Sequence, residues 1–265
     1  MMVIGVVGAM ALAPPGRKVG YDDTPLLPGS KYRVHDGTRP QPPIVTPGTP
    51  ATQDSPGKAP SDAVVLFDGT NLDHWTADNN QPAGWTLKDG AMIIPPGGTK
   101  GGGTLASKDQ FGDCQLHLEF AAPTPVKGDD QGRGNSGIMF FGRYEVQVLD
   151  CYDNPTYADG TTGAIYGQTP PLVNACRTPG EWQTYDIAFT APRFDKEGKV
   201  TTPAYATIFL NGVLVQNHTE IIGAVAFRAV GTYSAHGEKG PLVLQDHGNP
   251  VRFRNIWVRE IGPRG

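Results

Sequence analysis

The segment YEVQVLD, residues 144–150, alternates apolar and polar side chains as a half-buried strand does. Its tyrosine and two valines share one parity and are expected to face a core. Glu145 and Gln147 then project from the opposite face, roughly 7 Å apart. A carboxylate that accepts a proton beside an amide that holds hydroxyl groups suits a sugar. Asp150 has the parity of the valines, so it joins Glu145 only if the strand ends or bulges there.

A second stretch that could carry chemistry is LQDHGNPVRFRNIWVREI, residues 244–261. Asp246 and His247 follow an apolar strand, and an aspartate beside a histidine can orient it or raise its pKa. Adjacent strand residues point to opposite faces, so direct contact between the two needs a local turn. Upstream, His236 lies in a polar loop with other titratable groups. We expect Asp246 and His247 in catalysis and His236 in substrate binding.

Two loops add candidate ligand contacts. In GDDQGRGNSG, residues 128–137, the glycines allow backbone NH groups to face a ligand, with Arg133 and Asn135 reaching out from the loop. The acidic pair of this loop does not have the spacing of an EF-hand. Tyr166, in the loop-like GAIYGQTPP, is the aromatic residue expected to face a sugar. A divalent metal is possible, but no spacing of ligands singles out a site.

The three cysteines, Cys114, Cys151 and Cys176, cannot all pair within the chain, and none has the spacing of a zinc site. We therefore expect small, reduced core residues in preference to a disulfide. This expectation concerns all three positions.

Composition restricts the class of protein and the organisation of the chain. The 265 residues carry a net charge of −4 without a basic patch, which argues against nucleic acid as a partner. Residues 1–13 resemble a signal-peptide remnant that is too short to span a bilayer, so an exported protein without a membrane span in its mature form is expected. Residues 14–62 are rich in proline and predict an extended arm or linker.

From residue 63 to residue 265 the pattern is one of short strands separated by turn residues. Ten or more antiparallel strands bury their apolar faces most economically as two packed sheets. The sequence thus predicts an all-β sandwich that follows a proline-rich N-terminal arm. The predicted strands are 64–67, 85–87, 91–94, 114–120, 137–141, 144–149, 182–189, 204–210, 213–216, 241–244 and a last strand near 251–258.

Three local patterns sharpen this prediction. Asn211-Gly212 between two strands predicts a two-residue hairpin turn, in which both residues have positive φ. In the last strand the apolar parity changes, which predicts a bulge near Arg254-Asn255. In CQLHLEF, residues 114–120, the leucines and phenylalanine share a core face. The polar residues of that strand share the other face, which is expected to be wet or to face a ligand.

Seven blocks in order resemble the 3-keto-disaccharide hydrolase domain family, over about residues 64–261. They are LFDGTNLDHW (66–75), GRGNSGIMF (132–140), YEVQVLD (144–150), GAIYGQTPPLVNA (163–175), GEWQTYDIAF (180–189), NGVLVQN (211–217) and LQDHGNPVRFRNIWVR (244–259). The resemblance implies a concanavalin-like, lectin-like jelly roll whose concave sheet carries the site. It also implies cleavage of glycosides oxidised at carbon 3, beside a separate oxidoreductase that installs the ketone.

The chemistry of such a substrate can be argued independently. A ketone at carbon 3 acidifies the proton on carbon 2, so a base removes it, the aglycone leaves carbon 1 and water adds back. Retaining jelly-roll glycosidases carry Glu-x-Asp-x-x-Glu, and Gln147 replaces the central acid here. Ordinary retaining hydrolysis needs two carboxyl groups about 5.5 Å apart, whereas elimination needs one base and one acid.

The resulting hypothesis leaves several roles open. Glu145 or His247 is the base, and Asp246 or Asp150 is its partner acid or orients it. The side chains of Arg133, Asn135 and Gln147 contact the sugar or the enolate. The main alternative is a non-catalytic carbohydrate-binding module of the same fold, and a third is a structural surface protein.

Overall fold

The structure is a computed structural model that describes residues 20–77, 80–98 and 103–262, and the chain divides into two compact units, 1–46 and 47–265. The strands of the second unit are β1 Val64–Phe67, β2 Trp75–Ala77, β3 Thr86–Lys88, β4 Ala91–Ile93, β5 Leu105–Phe111, β6 Cys114–Ala121, β7 Ser136–Phe140, β8 Tyr144–Val148, β9 Gln183–Thr190, β10 Arg193–Phe194, β11 Val200–Thr202, β12 Ala204–Leu210, β13 Val213–Ile221, β14 Gly240–Leu244 and β15 Arg252–Glu260. Two short 3₁₀ turns, Asp130–Gly132 and Ala158–Gly160, lie in the loops of this unit.

Two antiparallel sheets form the sandwich. The larger has the order β13-β12-β9-β6-β15-β4-β3, with β1 also paired to β15, and the smaller has the order β2-β5-β14-β7-β8. Neighbours in the smaller sheet are distant in sequence, since β14 lies between β5 and β7. The fold is the all-β, lectin-like jelly-roll sandwich predicted from the sequence, and it brings residues near 140 and 245 side by side.

The core lies between the inner faces of these sheets. Alternate residues of the long strands, such as β9 and β12, enter it, as the period of two requires. Across the interface Phe140 of β7 stacks on Phe189 of β9, with ring centroids 4.2 Å apart. Tyr185 of β9 is fully buried, and its hydroxyl donates to the Gln147 carbonyl of β8 at 2.7 Å. This bond fixes β8 against the facing sheet.

The predicted turn and bulge are both confirmed. Asn211 and Gly212 have φ of 54° and 79°, and Leu210 pairs with Val213 across them. The register of β15 against β6 shifts between Arg254 and Trp257, where Asn255 has a φ of 49°.

Two strands of the smaller sheet escaped prediction. β5 exposes Lys108 and half-exposes Asp109, so a regular apolar alternation is hard to see in LASKDQF. β2 has only three residues, too few to show a period. Both strands complete the smaller sheet on the side of β14 away from β8.

The prediction that the cysteines are reduced is wrong for two of them. Cys151 and Cys176 form a disulfide with Cα atoms 6.3 Å apart, across 25 residues of sequence. Only the fold brings the loop after β8 to the loop before β9, so spacing alone did not reveal the pair. Cys114 is free and buried in the core, as predicted. Burial raises the pKa of its thiol to about 12, with the nearby Asp113 and Glu260 charges adding to the effect.

The outer face of the larger sheet agrees only in part with its prediction as a wet or ligand-facing surface. Part of residues 47–62 lies on it, but His117 and Glu119 still line a depression of about 390 Å³ there. Arg254 Nη2 donates to the Thr52 carbonyl at 2.6 Å, and Gln53 exchanges hydrogen bonds of 2.9 and 2.7 Å with the Trp182 backbone. Beneath them Glu119 is fully buried, where it accepts a hydrogen bond of 2.7 Å from Arg254.

The first unit is described over residues 20–46. Its backbone makes isolated bridges from Tyr21 to Asp36 and from Leu26 to Arg33. Among all the described residues, there is no helix long and apolar enough to cross a membrane.

Candidate active site

A cleft of about 300 Å³ lies on the outer face of the smaller sheet. Its floor is formed by side chains of β7 and β8 and by the residue after β14, namely Met139, Glu145, Gln147 and Gln245. Side chains alternate between the two faces of a strand, which explains why these four residues face the cleft while their neighbours Ile138, Val146 and Leu244 are buried in the core. Asn135, Tyr166, Val225, Phe227 and His247 line the rest of the cleft.

Glu145 is the one carboxylate among the residues that line this cleft. The residue is 5% exposed, and its carboxylate has no hydrogen-bond partner among the described residues. Burial raises its pKa from 4.5 to about 7, because no nearby donor or cation compensates for the lost hydration. At neutral pH such a group exists in both protonation states, as a general base requires.

Gly137 of β7 makes room for that carboxylate. A Cβ atom at Gly137 would overlap the Glu145 Oε1 atom. Gly137 pairs with Gln147, and Met139 pairs with Glu145, so the carboxylate leans diagonally across the strand pair. The glycine therefore determines the direction in which the carboxylate points.

Gln147 leaves one polar atom without a partner. Its amide nitrogen donates to Gln131 Oε1 at 3.1 Å and to Asn135 Oδ1 at 3.4 Å, and Asn135 itself donates to the Gln131 carbonyl at 2.8 Å. The Gln147 Oε1 atom is buried and accepts no hydrogen bond. A buried oxygen in this state needs a donor from a ligand or water, so a sugar hydroxyl in the cleft would satisfy it.

His247 and Asp246 separate at the end of β14. His247 is exposed and lines the cleft. Asp246 accepts a hydrogen bond of 2.8 Å from the Gly248 NH, and its carboxylate packs against Gly98 and Gly103. The two neighbours thus face different surroundings, as strand geometry suggests, and Asp246 lies beside the cleft without lining it.

Arg133 and Asp150 pair with each other. Arg133 Nε donates to Asp150 Oδ2 at 2.7 Å, and its Nη atoms donate to the carbonyls of Tyr152 at 2.7 Å and Asp153 at 3.3 Å. Asp150 is buried and does not join Glu145, in agreement with its core parity. The structure therefore brings neither residue into the cleft, and Arg133 holds the loop that follows β8.

His236 also lies outside the cleft. Its Nε2 atom is 2.7 Å from the Tyr144 hydroxyl, and its ring packs 4.8 Å from that of Phe141. It therefore contacts the core side of β8, opposite Glu145.

Four lining residues were not anticipated: Met139, Val225, Phe227 and Gln245. Period two along PLVLQ places Gln245 on the face opposite Leu244, so the sequence did hold a signal for it. Phe227 lies in an apolar segment without strand alternation, and only the fold shows that it reaches the cleft.

Among residues 20–77, 80–98 and 103–262, no group of three or more His, Cys, Asp or Glu side chains is arranged to hold a metal ion. The cleft itself offers one histidine and one carboxylate, with amides and aromatic rings around them.

A sandwich whose outer sheet face presents one buried carboxyl group, several amides and an aromatic wall defines a carbohydrate-active protein. The particular assignment comes from comparison, since residues 62–259 match the family of 3-keto-alpha-glucoside-1,2-lyase-like domains, and the chain belongs to that family. This membership confirms the resemblance found in the sequence and places the chain among glycoside-cleaving enzymes.

Individual relatives agree with the family. A crystal structure from Parabacteroides distasonis, solved as a candidate glycosyl hydrolase, is 43% identical with a TM-score of 0.79, over 89% of this chain and 100% of that one. A 3-keto-disaccharide hydrolase of Bacteroides thetaiotaomicron is 20% identical over 75% of this chain and 78% of its own length. A second Parabacteroides distasonis structure, 18% identical with a TM-score of 0.55 over 76% of this chain and 94% of that one, shares the fold.

Proposed function

We propose that the protein cleaves 3-keto-glycosides, including 3-keto-disaccharides, by elimination at carbons 1 and 2 followed by addition of water. The observation that carries this proposal is the lone carboxyl group of Glu145, buried, unpaired and with a pKa raised to about 7. Double displacement and its inverting counterpart each need two carboxyl groups about the sugar. Elimination from a ketone needs one base and one acid, and the acid need not be a second carboxyl group.

The reaction begins with removal of a proton. The Glu145 carboxylate takes the proton from carbon 2, and the electron pair of that bond moves to the ketone oxygen to form an enolate. The enolate then collapses, the bond from carbon 1 to the aglycone oxygen breaks, and that oxygen takes a proton from an acid. The sugar is left with a double bond between carbons 1 and 2.

Water completes the cycle. It adds a hydroxyl group to carbon 1 and a proton to carbon 2, which yields the free 3-keto sugar. Glu145 now carries a proton, exchanges it with solvent, and protonates carbon 2 with the exchanged proton. No oxidant is consumed, because the ketone of the substrate is regenerated unchanged.

The other residues of the cleft divide the remaining tasks. His247 lies at the rim and serves as the acid that protonates the leaving oxygen. The unpartnered Gln147 Oε1 accepts a hydrogen bond from a sugar hydroxyl. Tyr166 and Gln245 bring a hydroxyl and an amide donor for the enolate oxygen, whose developing charge needs such donors. Arg133, Asp150 and Asp246 act indirectly, by holding the loops around the cleft.

Two further expectations belong to this proposal. The protein acts after a separate oxidoreductase that installs the ketone, because the reaction requires an oxidised substrate. It works outside the cytoplasm, and the Cys151–Cys176 disulfide supports an oxidising compartment.

The test compares a chromogenic 3-keto-glucoside with the unoxidised glucoside, each with and without EDTA. We expect nitrophenol release from the keto compound alone. In heavy water the product should carry deuterium at carbon 2, because the proton lost there is replaced from solvent. The EDTA arm reports whether a divalent metal assists the enolate.

Other outcomes separate the alternatives. Cleavage of both glucosides with the original hydrogen retained at carbon 2 would indicate ordinary hydrolysis. Saturable sugar binding without release from either compound would indicate a carbohydrate-binding module.

A further inference from the structure

A second depression of about 550 Å³ adjoins the cleft, and we call it the aromatic groove. Tyr166 and Phe227 line both the cleft and the groove, so the two form one continuous surface. Tyr157, Gly167, Ala229 and Val230 line the groove alone.

One wall of the groove is held by a pair of tyrosines. The hydroxyls of Tyr157 and Tyr166 lie 2.8 Å apart, and their rings meet edge to face with centroids 6.3 Å apart. The Gly167 NH donates to the Asp159 carbonyl at 2.9 Å, which ties the two tyrosine-bearing segments together. Gly160 lies directly against the Tyr157 ring. These contacts fix the positions of both tyrosine rings in the wall.

The opposite wall is the segment 222–232, whose position is also fixed by backbone hydrogen bonds. Its base is closed by a hydrogen bond of 3.1 Å from the Ala224 NH to the Thr232 carbonyl, and the Val225 NH donates at 2.7 Å to the carbonyl of Arg143, in the turn between β7 and β8. These bonds hold the apolar tip of the segment beside the cleft.

The tip of that segment presents apolar side chains to solvent. Phe227 is 74% exposed and Val230 is 79% exposed. Single exposed apolar residues are ordinary, but a cluster next to a catalytic cleft indicates a binding surface. The charged side chains that line the groove are Asp159 and Arg228.

We propose that the aromatic groove is the aglycone site and takes a flat, apolar aromatic aglycone in preference to a second sugar. This inference rests on the proposed function, because it assumes that the sugar occupies the cleft. The groove continues from the cleft at Tyr166 and Phe227, where the aglycone oxygen would leave.

Asp159 and Arg228 are the charged side chains of the lining that can pair with sugar hydroxyls, and the rest of the lining favours the aromatic occupant. A sugar aglycone brings several hydroxyl groups, each of which loses water on entering and needs a new partner. One of the Tyr157 and Tyr166 hydroxyls donates to the other, and the O–H that remains is the donor assigned to the enolate oxygen, so neither is left for an aglycone hydroxyl. An aromatic ring needs no such partners, and it gains from edge and face contacts with the tyrosine and phenylalanine rings.

The test uses the full chain with methyl and benzyl 3-keto-glucosides, in both anomeric forms. The two leaving alcohols have similar basicity, so a difference in kcat/KM reports contacts with the aglycone and not the ease of bond breaking. We expect benzyl to be favoured by about tenfold, the factor that burial of part of a ring gives.

Two variants locate the effect. Val230→Asp should lower kcat/KM for the benzyl compound about fivefold, since it places a charge against an apolar ring. The kcat/KM for the methyl compound should change less than about twofold, the small effect expected of a substitution on the protein surface. Leu172→Asp is the matched control, because Leu172 is 65% exposed and lines neither cleft nor groove. It should leave both substrates unaffected.

The outcomes are distinguishable. If the unaltered chain cleaves neither compound, the proposed function fails and this inference with it. If the methyl compound is cleaved but benzyl is no better, or a 3-keto-disaccharide exceeds benzyl, the aglycone assignment alone is overturned. A dimer that Val230→Asp dissociates without changing turnover would likewise overturn it, by showing that a second copy covers the groove.

Discussion

At the scale of single residues, the site depends on the burial of the Glu145 carboxyl group, which disfavours its ionised form. Glu145 has a pKa of about 7 instead of 4.5, so the folded chain holds its proton where the unfolded chain does not. Stability is therefore lost as pH rises from about 4.5 to 7, and the cost is complete above 7. The shift corresponds to a cost on the order of 3 kcal/mol.

Replacing Glu145 with glutamine should remove both the base and this cost. We expect Glu145→Gln to lower kcat for a 3-keto-glucoside by about 10² to 10⁴, the usual contribution of a general base. At pH 8 the free energy of unfolding in urea should rise by about 1 to 3 kcal/mol, and near pH 4 it should change little. A variant that loses activity without any gain in stability at pH 8 would contradict the raised pKa.

The pH profile of the unaltered protein gives a second reading of the same group. Because the base must be ionised, the acid limb of the kcat/KM profile should rise with pH through an apparent pKa of about 7. The measurement is initial rate against pH at low substrate concentration. A rise centred near 4.5 would mean that another carboxylate, or a well-hydrated Glu145, is the base.

Gly137→Ala tests the direction of the carboxylate without removing it. The new methyl group would displace the end of the Glu145 side chain, which moves easily, so stability should change by less than about 1 kcal/mol. Activity should fall by about 10²-fold, since small misplacements of reacting groups are costly. Gly132→Ala is the control, because a Cβ there meets no atom within 4 Å. Equal activity of the two variants would rule out a positioning role for Gly137.

At the scale of elements, the two sheets have different outer faces. The smaller sheet exposes its cleft, whereas the larger sheet buries a polar network beneath residues from 47–62. In that network His117 Nδ1 lies 2.7 Å from Asp186 Oδ1 and its ring stacks on Trp257. Burial acts against the charged ring, but the hydrogen bonds and charges of Asp186 and Glu119 outweigh it and raise the pKa of His117 to about 9.

This network predicts a pH dependence at a higher range. Because the folded pKa of His117 is raised, its stabilisation is complete below about 6.5 and is lost as pH rises through about 9. Between pH 6.5 and pH 9 the free energy of unfolding should fall by about 1 to 2 kcal/mol less in His117→Gln than in the unaltered protein. This difference is smaller than the full pKa shift implies, because the Asp186 side chain is 43% exposed and solvent screens its charge. His74→Gln is the control, since His74 and Asp109 form an exposed pair. An unchanged slope in His117→Gln would show that the ring is neutral in the folded protein.

Strand alternation explains how much of these elements could be predicted. Period two was enough to place Glu145 and Gln147 on one face and Asp150 in the interior. It did not reveal the partners that the fold supplies from distant parts of the chain. Arg133 was expected in the site because it lies in a glycine-rich loop, yet the carboxylate of Asp150 holds it elsewhere.

At the scale of the molecule, the disulfide and the sandwich act together. The Cys151–Cys176 bond closes a loop that contains Tyr157 and Tyr166, so it restrains the tyrosine wall as well as the unfolded chain. In the chain-entropy model a loop of this length contributes about 3 kcal/mol. Its presence could not be read from the sequence, because three cysteines leave several pairings open.

Removing this bond with the double variant Cys151→Ala, Cys176→Ala should lower the free energy of unfolding by about 2 to 4 kcal/mol. The measurement is urea unfolding of the two proteins, with and without reductant. Reductant should have no further effect on the double variant. Native protein should show no reactive thiol, because Cys114 is buried with a pKa of about 12, and two reactive thiols in native oxidised protein would contradict the disulfide.

The burial of Glu145 has a calorimetric consequence. Near pH 7 its carboxyl group is about half protonated, so a ligand that favours either charge state must release or take up part of a proton. The heat measured on binding a sugar would then include the ionisation enthalpy of the buffer. Titrations in phosphate and in Tris would give different apparent enthalpies, and their difference would count the protons that the substrate moves on entering the cleft.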